Sequence, residues 1–205
     1  FGDINMKLNA IVLFLTAAVC SYAQATGPKT IPVNYDGYTK VIYVSETGSD
    51  ESGNGTKQNP WKTINYALGA IQKHDANNRI ALIVAEGKYG SSTIKMKDFV
   101  DLYGGFNART WERNIFMNMS VVSAEPGERA VTGANNCTID GFSFRKNSIR
   151  GQGAAIYCDG TSPVISNNTF MNNKTLGPEI WKPKFMHERA NDGGAIACEN
   201  NSSPV

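Results

Sequence analysis

The chain has 205 residues, 41% of them hydrophobic, and its 20 basic and 18 acidic side chains leave a net charge of +2. So small a charge gives no general attraction for nucleic acid or an anionic membrane, and neither partner is expected. Of four cysteines, one lies in the leader described next, and the odd number left argues against a disulfide framework.

Residues 1–25 are predicted to be a short upstream stretch followed by a secretory signal peptide that starts at Met6. A basic residue precedes the apolar run 10–19, and small residues around Ala23 form an exit site. A membrane anchor is the alternative, but the run is too short to cross a bilayer about 30 Å thick. A lipoprotein anchored through Cys20 is the other alternative, although valine precedes it where a small residue is wanted. We expect a secreted or cell-surface protein with no transmembrane segment in its mature part.

Residues 26–79 are predicted to form a polar lead and an N-terminal cap. The run 41–44 is rich in β-formers. After Pro60 and Trp61, apolar residues recur at helical intervals at Ile64, Ala67, Leu68 and Ile71. A solenoid of strands exposes an unpaired edge at its end, and we assign this short helix to cover it.

A loop between that run and the helix carries the oxygen-bearing side chains of Asp50, Glu51 and Asn54 among glycines. This composition suits a calcium-binding turn, but the spacing of a known calcium loop is missing. A plain polar turn is the alternative that we favour.

Residues 80–205 are predicted to be a chain of short strands, beginning with the runs 80–85 and 99–106. Gly104 and Gly105 would supply the positive φ that a corner between strands requires. Trp111 lies in the excursion that follows. We expect it to pin this loop in place, with stacking on a sugar as the alternative.

A repeat organises the second half of the chain. The segment 137–147 returns 26 positions later as 163–173, and the segment 153–158 returns 40 positions later as 193–198. Short apolar runs separated by Gly, Asn, Asp and Ser at such a period are typical of a solenoid, because no single run can bury a face alone. The 26-residue step accommodates about three strands with turns, at about 3.3 Å per residue. The predicted fold is therefore all-β, a right-handed parallel β-helix with a short N-terminal capping α-helix.

Equivalent residues of successive units should stack in ladders. We expect inward-facing ladders from two pairs, Ile139 with Ile165 and Phe144 with Phe170, and a buried cysteine ladder from Cys158 and Cys198. A disulfide between the two cysteines is the alternative. The recurring asparagines should form a structural ladder at the turns, where asparagine tolerates the left-handed conformation; they are Asn147, Asn168 and Asn173.

Several motifs resemble exported bacterial proteins of the pectin lyase-like superfamily of right-handed β-helices. They are the run 43–50 leading to Asn59-Pro-Trp-Lys-Thr-Ile64, the run Leu102-Tyr-Gly-Gly-Phe106 followed by Trp111-Glu-Arg-Asn114, and the coil ending at Asn173. The resemblance covers about residues 41–205. It implies carbohydrate-active chemistry, commonly β-elimination of uronic-acid polysaccharides with calcium, or hydrolysis of these polysaccharides. The superfamily also contains surface proteins of unknown activity, and no active-site motif matches residue by residue.

The additional 14 residues of the 40-residue step form an insertion between Asn173 and Asp192. A uronate lyase needs a cation to neutralise the carboxylate and a basic side chain to remove a proton. The insertion offers candidates for each role: catalytic Lys182, Lys184 and Arg189; substrate-binding Trp181 and His187; and metal-ligating Glu179 and Asp192, with Ca²⁺ as the possible ion. An ordinary solvated loop has the same composition, and a fold alone does not imply an activity.

Two functions of different class therefore follow from the sequence. The first is an exported polysaccharide lyase, probed by release of unsaturated uronate. The second is a non-catalytic surface β-helix that binds glycans or other partners; either would be a monomer. Because the last unit stops where the preceding one continues with a strand, we also expect the chain to be the N-terminal part of a longer protein.

Overall fold

The computed structural model describes residues 30–176 and 194–205. The described residues contain one helix, α1, at Ile64–Ala70. Strands of the first half are β1 Tyr38–Val44, β2 Arg79–Ala85, β3 Gly87–Tyr89, β4 Ile94–Lys95, β5 Val100–Phe106, β6 Ser120–Val122 and β7 Val131–Thr132. Strands of the second half are β8 Thr138–Asp140, β9 Phe142–Arg145, β10 Ser148–Arg150, β11 Ile156–Asp159, β12 Val164–Ser166, β13 Thr169–Met171, β14 Lys174–Leu176 and β15 Ile196–Glu199.

These strands form a parallel β-helix. The main sheet has the order β1-β2-β5-β8-β12, two four-stranded sheets have the orders β13-β9-β6-β3 and β15-β11-β7-β4, and β10 pairs with β14. All pairings between these strands are parallel. Each coil therefore visits the sheets in turn before it returns to the main sheet, and crossovers between parallel strands are right-handed in nearly all proteins. The parallel stacking already begins at β1, one strand earlier than the sequence suggested.

The predicted apolar ladders form the core. Ile139 lies opposite Ile165, and Phe144 lies opposite Phe170 with ring centroids 5.2 Å apart and planes 14° from parallel. Ile139 and Phe144 are fully buried, while their partners one coil later are partly buried against the same core. Stacking of equivalent side chains on successive coils thus supplies the apolar contacts that a strand of three or four residues cannot supply alone.

The cysteine ladder is present in register, with Cys158 opposite Cys198. Cys158 is a buried free thiol, as predicted, and Cys137 is buried too, whereas the Cys198 thiol, which was predicted to be buried, is free and exposed. Cys198 differs because it lies on β15, the outermost strand of its sheet, where no described strand covers it.

The asparagine ladder is also present, but its conformation differs from the prediction. Asn147 donates to Asn173 Oδ1 at 2.8 Å, and Asn168 Oδ1 accepts from Phe142 N–H at 2.8 Å. The residues with positive φ are those that precede the ladder: Lys146, Asn167 and Asn172. A left-handed residue at each corner turns the chain, and the next residue's amide then points along the stack and satisfies the exposed backbone groups.

Helix α1 closes the end of the β-helix that begins at β1. It contacts β1 and β4, which are edge strands of their sheets at the same end. Its apolar positions Ile64, Ala67 and Leu68, with Ile71 after it, are buried in the core. The helix therefore covers an edge that would otherwise be open to pairing.

Trp111 is a structural anchor of its loop. It is only 9% exposed, its Nε1–H donates to the carbonyl of Lys57 at 3.2 Å, and its ring meets that of Tyr43 edge-on with centroids 4.9 Å apart. These contacts hold a bulky residue at a φ of +58°, which is unfavourable by itself. The ring is not free to stack on a sugar.

The two adjacent glycines of β5 serve different needs. Gly105 has the predicted positive φ of +86°. Gly104 lies instead where a Cβ would come within 2.7 Å of the carbonyl oxygen of Gly141. Glycine is needed there for close approach of two coils rather than for turning.

Candidate functional site

A cleft of about 280 Å³ lies where the start of α1 faces the turn between β3 and β4. Its lining combines two lysines, hydroxyl and amide groups and a substantial apolar surface. The lining residues are Glu46, Lys62, Thr63, Ile64, Asn65, Lys88, Tyr89, Gly90, Ser91, Ser92 and Ile94.

Asp50 fixes the wall of the cleft that carries Lys62. Its Oδ1 accepts from the backbone N–H of Lys62 at 2.8 Å and of Thr63 at 3.0 Å, and its Oδ2 accepts from the Thr63 hydroxyl at 2.7 Å. Thr63 in turn caps α1 by accepting from the N–H of Tyr66. The loop that suggested a calcium turn is thus a polar turn in which the Asp50 oxygens hold the start of the helix.

The opposite wall is tied to the helix by side-chain hydrogen bonds. Asn65 donates from Nδ2 to Ser92 Oγ at 2.7 Å. Lys88 N–H donates to Glu46 Oε2 at 3.1 Å. The two walls are therefore held in place by side-chain hydrogen bonds, an arrangement that suits a preformed ligand site.

Tyr89 closes the bottom of the cleft and has a structural role. Its hydroxyl donates to the carbonyl of Ala85 at 3.0 Å and accepts from the N–H of Glu46 at 3.2 Å. Burial raises the pKa of this phenol, so it is neutral at physiological pH. It is not suited to act as a general base.

The cleft has a surplus of positive charge. The side chains of Lys62 and Lys88 are exposed, and neither forms an ion pair with any residue in the described ranges 30–176 and 194–205. The carboxylate among the lining residues is Glu46, which already accepts a backbone hydrogen bond. Two ammonium groups beside one carboxylate favour an anionic ligand with hydroxyl groups.

The match to known families covers most of the chain: residues 46–203 match the model described as protein of unknown function, DUF1565. The chain belongs to this family. Comparison with curated proteins and with solved structures finds no match. The DUF1565 match includes both walls of the cleft.

The candidate residues in the predicted insertion of this DUF1565 chain lie outside the described residues. They are Glu179, Trp181, Lys182, Lys184, His187, Arg189 and Asp192. The flanks of the segment are described: β14 pairs with β10 before it, and β15 pairs with β11 after it. The predicted catalytic, substrate-binding and metal-ligating roles stay predictions.

The cleft and β14 belong to the same corner of the solenoid. In the coil of β3 this corner is the turn 90–93, and in the coil of β13 it is β14. Hydrogen bonds connect the coils along the corner, from Ser123 N–H to Tyr89 O and from Lys174 N–H to Asn147 O. Three coil steps of about 4.8 Å separate the two places by about 14 Å.

Two acid–arginine pairs lie on the outer face of the main sheet, which the sequence reasoning did not identify. Asp101 accepts from Tyr38 Oη at 2.5 Å and from Arg79 at 2.6 Å, and its other oxygen, Oδ1, has no hydrogen-bond partner among the residues that the structure describes. Burial and the bond to Asp101 raise the pKa of Tyr38. The signal in the sequence was a carboxylate at an outward position of an otherwise apolar strand.

The second pair joins Arg113 to Asp140, whose Oδ2 also accepts from Ser166 and Asn167. Arg113 further donates to the carbonyl of Ile31, so the N-terminal segment crosses this face. Asp101 and Asp140 are 0% and 5% exposed. Both carboxylates are buried, and each is paired with an arginine. This arrangement suits a role in holding the N-terminal segment on the sheet rather than contact with a polysaccharide.

In the ranges 30–176 and 194–205, no three His, Cys, Asp or Glu side chains are grouped so that they could hold a metal ion. Within the same ranges, no helix has the length and apolar character needed to cross a bilayer.

Lys62 and Lys88 were not among the predicted site residues. Lys62 directly precedes a helix cap, and Lys88 occupies an outward position in a three-residue strand. Each position is ordinary for an exposed lysine. The two side chains meet in one cleft because α1 packs against the end of the β-helix and places Lys62 beside the strand that carries Lys88.

Proposed function

We propose that the protein is an exported β-helix protein that binds an acidic glycan, with the lysine cleft beside α1 as its binding site. The single observation that carries the proposal is the presence of two ammonium groups, those of Lys62 and Lys88, that form no ion pair within the described residues and lie in a preformed cleft with hydroxyl and amide groups. A uronic acid residue carries the complementary groups, a carboxylate and several hydroxyls.

The size and character of the cleft agree with a sugar ligand. Its volume of about 280 Å³ is near the lower end of small-molecule sites, about 300 Å³. It therefore suits one or two sugar units of a longer chain whose remainder passes over the surface. Asn65, Ser91 and Ser92 supply donors and acceptors for hydroxyl groups at the rim.

Two features of the sequence add to the proposal. The predicted signal peptide within residues 1–25 would deliver the protein to the compartment where polysaccharides occur. The resemblance to pectin lyase-like β-helices, a finer assignment than the DUF1565 family, also favours a carbohydrate ligand.

Affinity measurements test the proposal. Isothermal titration with uronic-acid oligosaccharides should show binding that weakens as ionic strength rises, while a neutral oligosaccharide of equal length should not bind. Lys62→Ala and Lys88→Ala should each raise Kd about fivefold, because an exposed charge pair contributes about 1 kcal/mol. The double variant should raise Kd about 25-fold.

Lys40→Ala is the matched control, because Lys40 is exposed on β1 and does not line the cleft. It removes the same charge and should leave Kd unchanged. Failure of every acidic glycan to bind would disprove the function. If the double variant binds the glycan with the wild-type Kd, the binding site lies outside the cleft.

A polysaccharide lyase is the second candidate, favoured by the position of β14 at the same corner of the solenoid as the cleft. In that case Lys62 and Lys88 would hold the glycan, and Lys182, Lys184 or Arg189 would remove the proton, with calcium bound through Glu179 and Asp192. The assay is absorbance from unsaturated uronate during incubation with acidic polysaccharides. Alanine at all three basic residues should abolish that absorbance while leaving the affinity at the cleft largely intact.

A further inference from the structure

The cysteine ladder has the geometry of a disulfide site. Cys158 and Cys198 are direct partners in the parallel pairing of β11 with β15. Neighbouring strands lie about 4.8 Å apart, within the range of about 4.4–6.8 Å that bridged cysteines span between their Cα atoms. In-register side chains of parallel strands also point the same way, so the two Cβ vectors do not diverge.

The two thiols interact and differ in accessibility. A side-chain hydrogen bond connects them, and burial together with the neighbouring Cys198 raises the pKa of Cys158 to about 12. The Cys158 side chain is fully buried, whereas Cys198 is exposed. An oxidant can therefore reach Cys198 first, and Cys158 is positioned to complete the exchange.

We propose that Cys158 and Cys198 form a redox-controlled disulfide that ties β15 to β11. The Cys198 thiolate attacks a disulfide oxidant, such as oxidised glutathione or a protein disulfide, and releases one thiol. Cys158 then loses its proton and attacks the Cys198 sulfur, which releases the second thiol. One oxidant disulfide thus becomes two thiols, and the two cysteine thiols become one disulfide.

The consequence is local. β15 is the edge strand of its sheet in the described chain and pairs with β11 alone. The crosslink would close the chain between Cys158 and Cys198, which includes the insertion between Asn173 and Asp192, into a covalent loop. Both ends of that loop would then stay fixed on two paired strands of one sheet, in the oxidising surroundings that export provides. The inference concerns covalent structure and does not depend on glycan binding.

Peptide mapping of the oxidised chain tests the proposal. The reduced 205-residue protein is incubated with oxidised glutathione, free thiols are alkylated, and the chain is cut with trypsin, whose target residues in the loop include Lys184 and Arg189. The peptides that contain Cys158 and Cys198 should remain joined until reductant is added, and Cys137 should be alkylated. The oxidised protein should also melt at a higher temperature than the reduced protein.

Cys137→Ala is the matched control and should retain the crosslink, whereas Cys198→Ala should lose it. Alkylation of both Cys158 and Cys198 in the wild-type chain would overturn the proposal. A disulfide that contains Cys137, or a dimer joined through Cys198, would do the same. Because the decisive mapping uses the wild-type chain, it does not rely on the folding of any variant.

Discussion

Asn147 connects three coils, and its replacement by alanine should destabilise the protein measurably. The side chain is fully buried. Its Oδ1 accepts from Ala124 N–H at 2.7 Å, and its Nδ2 donates to Val122 O at 3.3 Å and Asn173 Oδ1 at 2.8 Å. Asn173 Oδ1 keeps a second donor, the backbone N–H of Asn147 at 3.1 Å, so it remains satisfied in the variant.

The magnitude follows from the groups left without partners. The buried N–H of Ala124 loses its acceptor, which costs about 1–3 kcal/mol, and the lost bond to Val122 O adds about 1 kcal/mol. We therefore expect Asn147→Ala to lower the free energy of unfolding by about 3 kcal/mol. Urea titration followed by tryptophan fluorescence measures this quantity. The control is Asn77→Ala, an exposed asparagine of a turn, which should change stability by less than about 0.5 kcal/mol.

Asn147→Asp separates hydrogen bonding from packing, because it keeps the shape. A protonated aspartate side chain at this position can accept from Ala124 N–H and donate to Val122 O or Asn173 Oδ1. An ionised side chain has no proton to donate, so its charge lies beside these two acceptor oxygens. Its folded pKa should therefore lie above the unfolded value of about 3.9. The deficit against wild type should be small below about pH 4 and grow as pH rises toward the folded pKa. Equal losses for the Asn147 variants and Asn77→Ala would refute the reasoning.

Three further predictions concern stability. Phe144→Ala should lower the free energy of unfolding by about 3–5 kcal/mol, because the ring is fully buried; the exposed Phe116 is the control, and urea titration compares the two. Phe170→Asp should cost several kcal/mol by placing an unpaired charge against the core, and a loss below 1 kcal/mol by urea titration would contradict the ladder. Burial raises the pKa of Tyr89, so stability should be full below about pH 10 and decline above it. Tyr89→Phe should flatten that decline in alkaline melting curves, and an unchanged slope would count against the assignment.

The repeats made the fold predictable. The 26-residue step aligned Ile139 with Ile165 and Phe144 with Phe170, and these pairs are in register in the structure. Equivalent residues of successive coils stack in a solenoid, so the repeat in the sequence determines which residues contact each other in the structure. The start of the stacking at β1 was not predictable in the same way, because the run 38–44 has no repeat partner in the sequence.

The cleft was not predictable, because its residues are common surface types far apart in the chain. Lys62 and Lys88 become neighbours only through the cap, whose orientation depends on Asp50 and Asn65. Sequence reasoning favoured the insertion instead, since charged and aromatic residues concentrate there. The pair of the buried Asp101 and the partly exposed Arg79 shows the opposite case, in which residues of types common in active sites hold the structure together.

Hydrogen–deuterium exchange in the presence of a uronic-acid oligosaccharide tests the central claim most directly. If the cleft binds the glycan, backbone amides of residues 62–66 and 88–94 should exchange more slowly in the complex. The Lys62→Ala/Lys88→Ala double variant should show no such protection at the same ligand concentration. Protection confined to β5 and β8 on the outer face of the main sheet would contradict the account. So would a wild-type protein that binds the glycan with the same affinity as the double variant and shows no protection at the cleft.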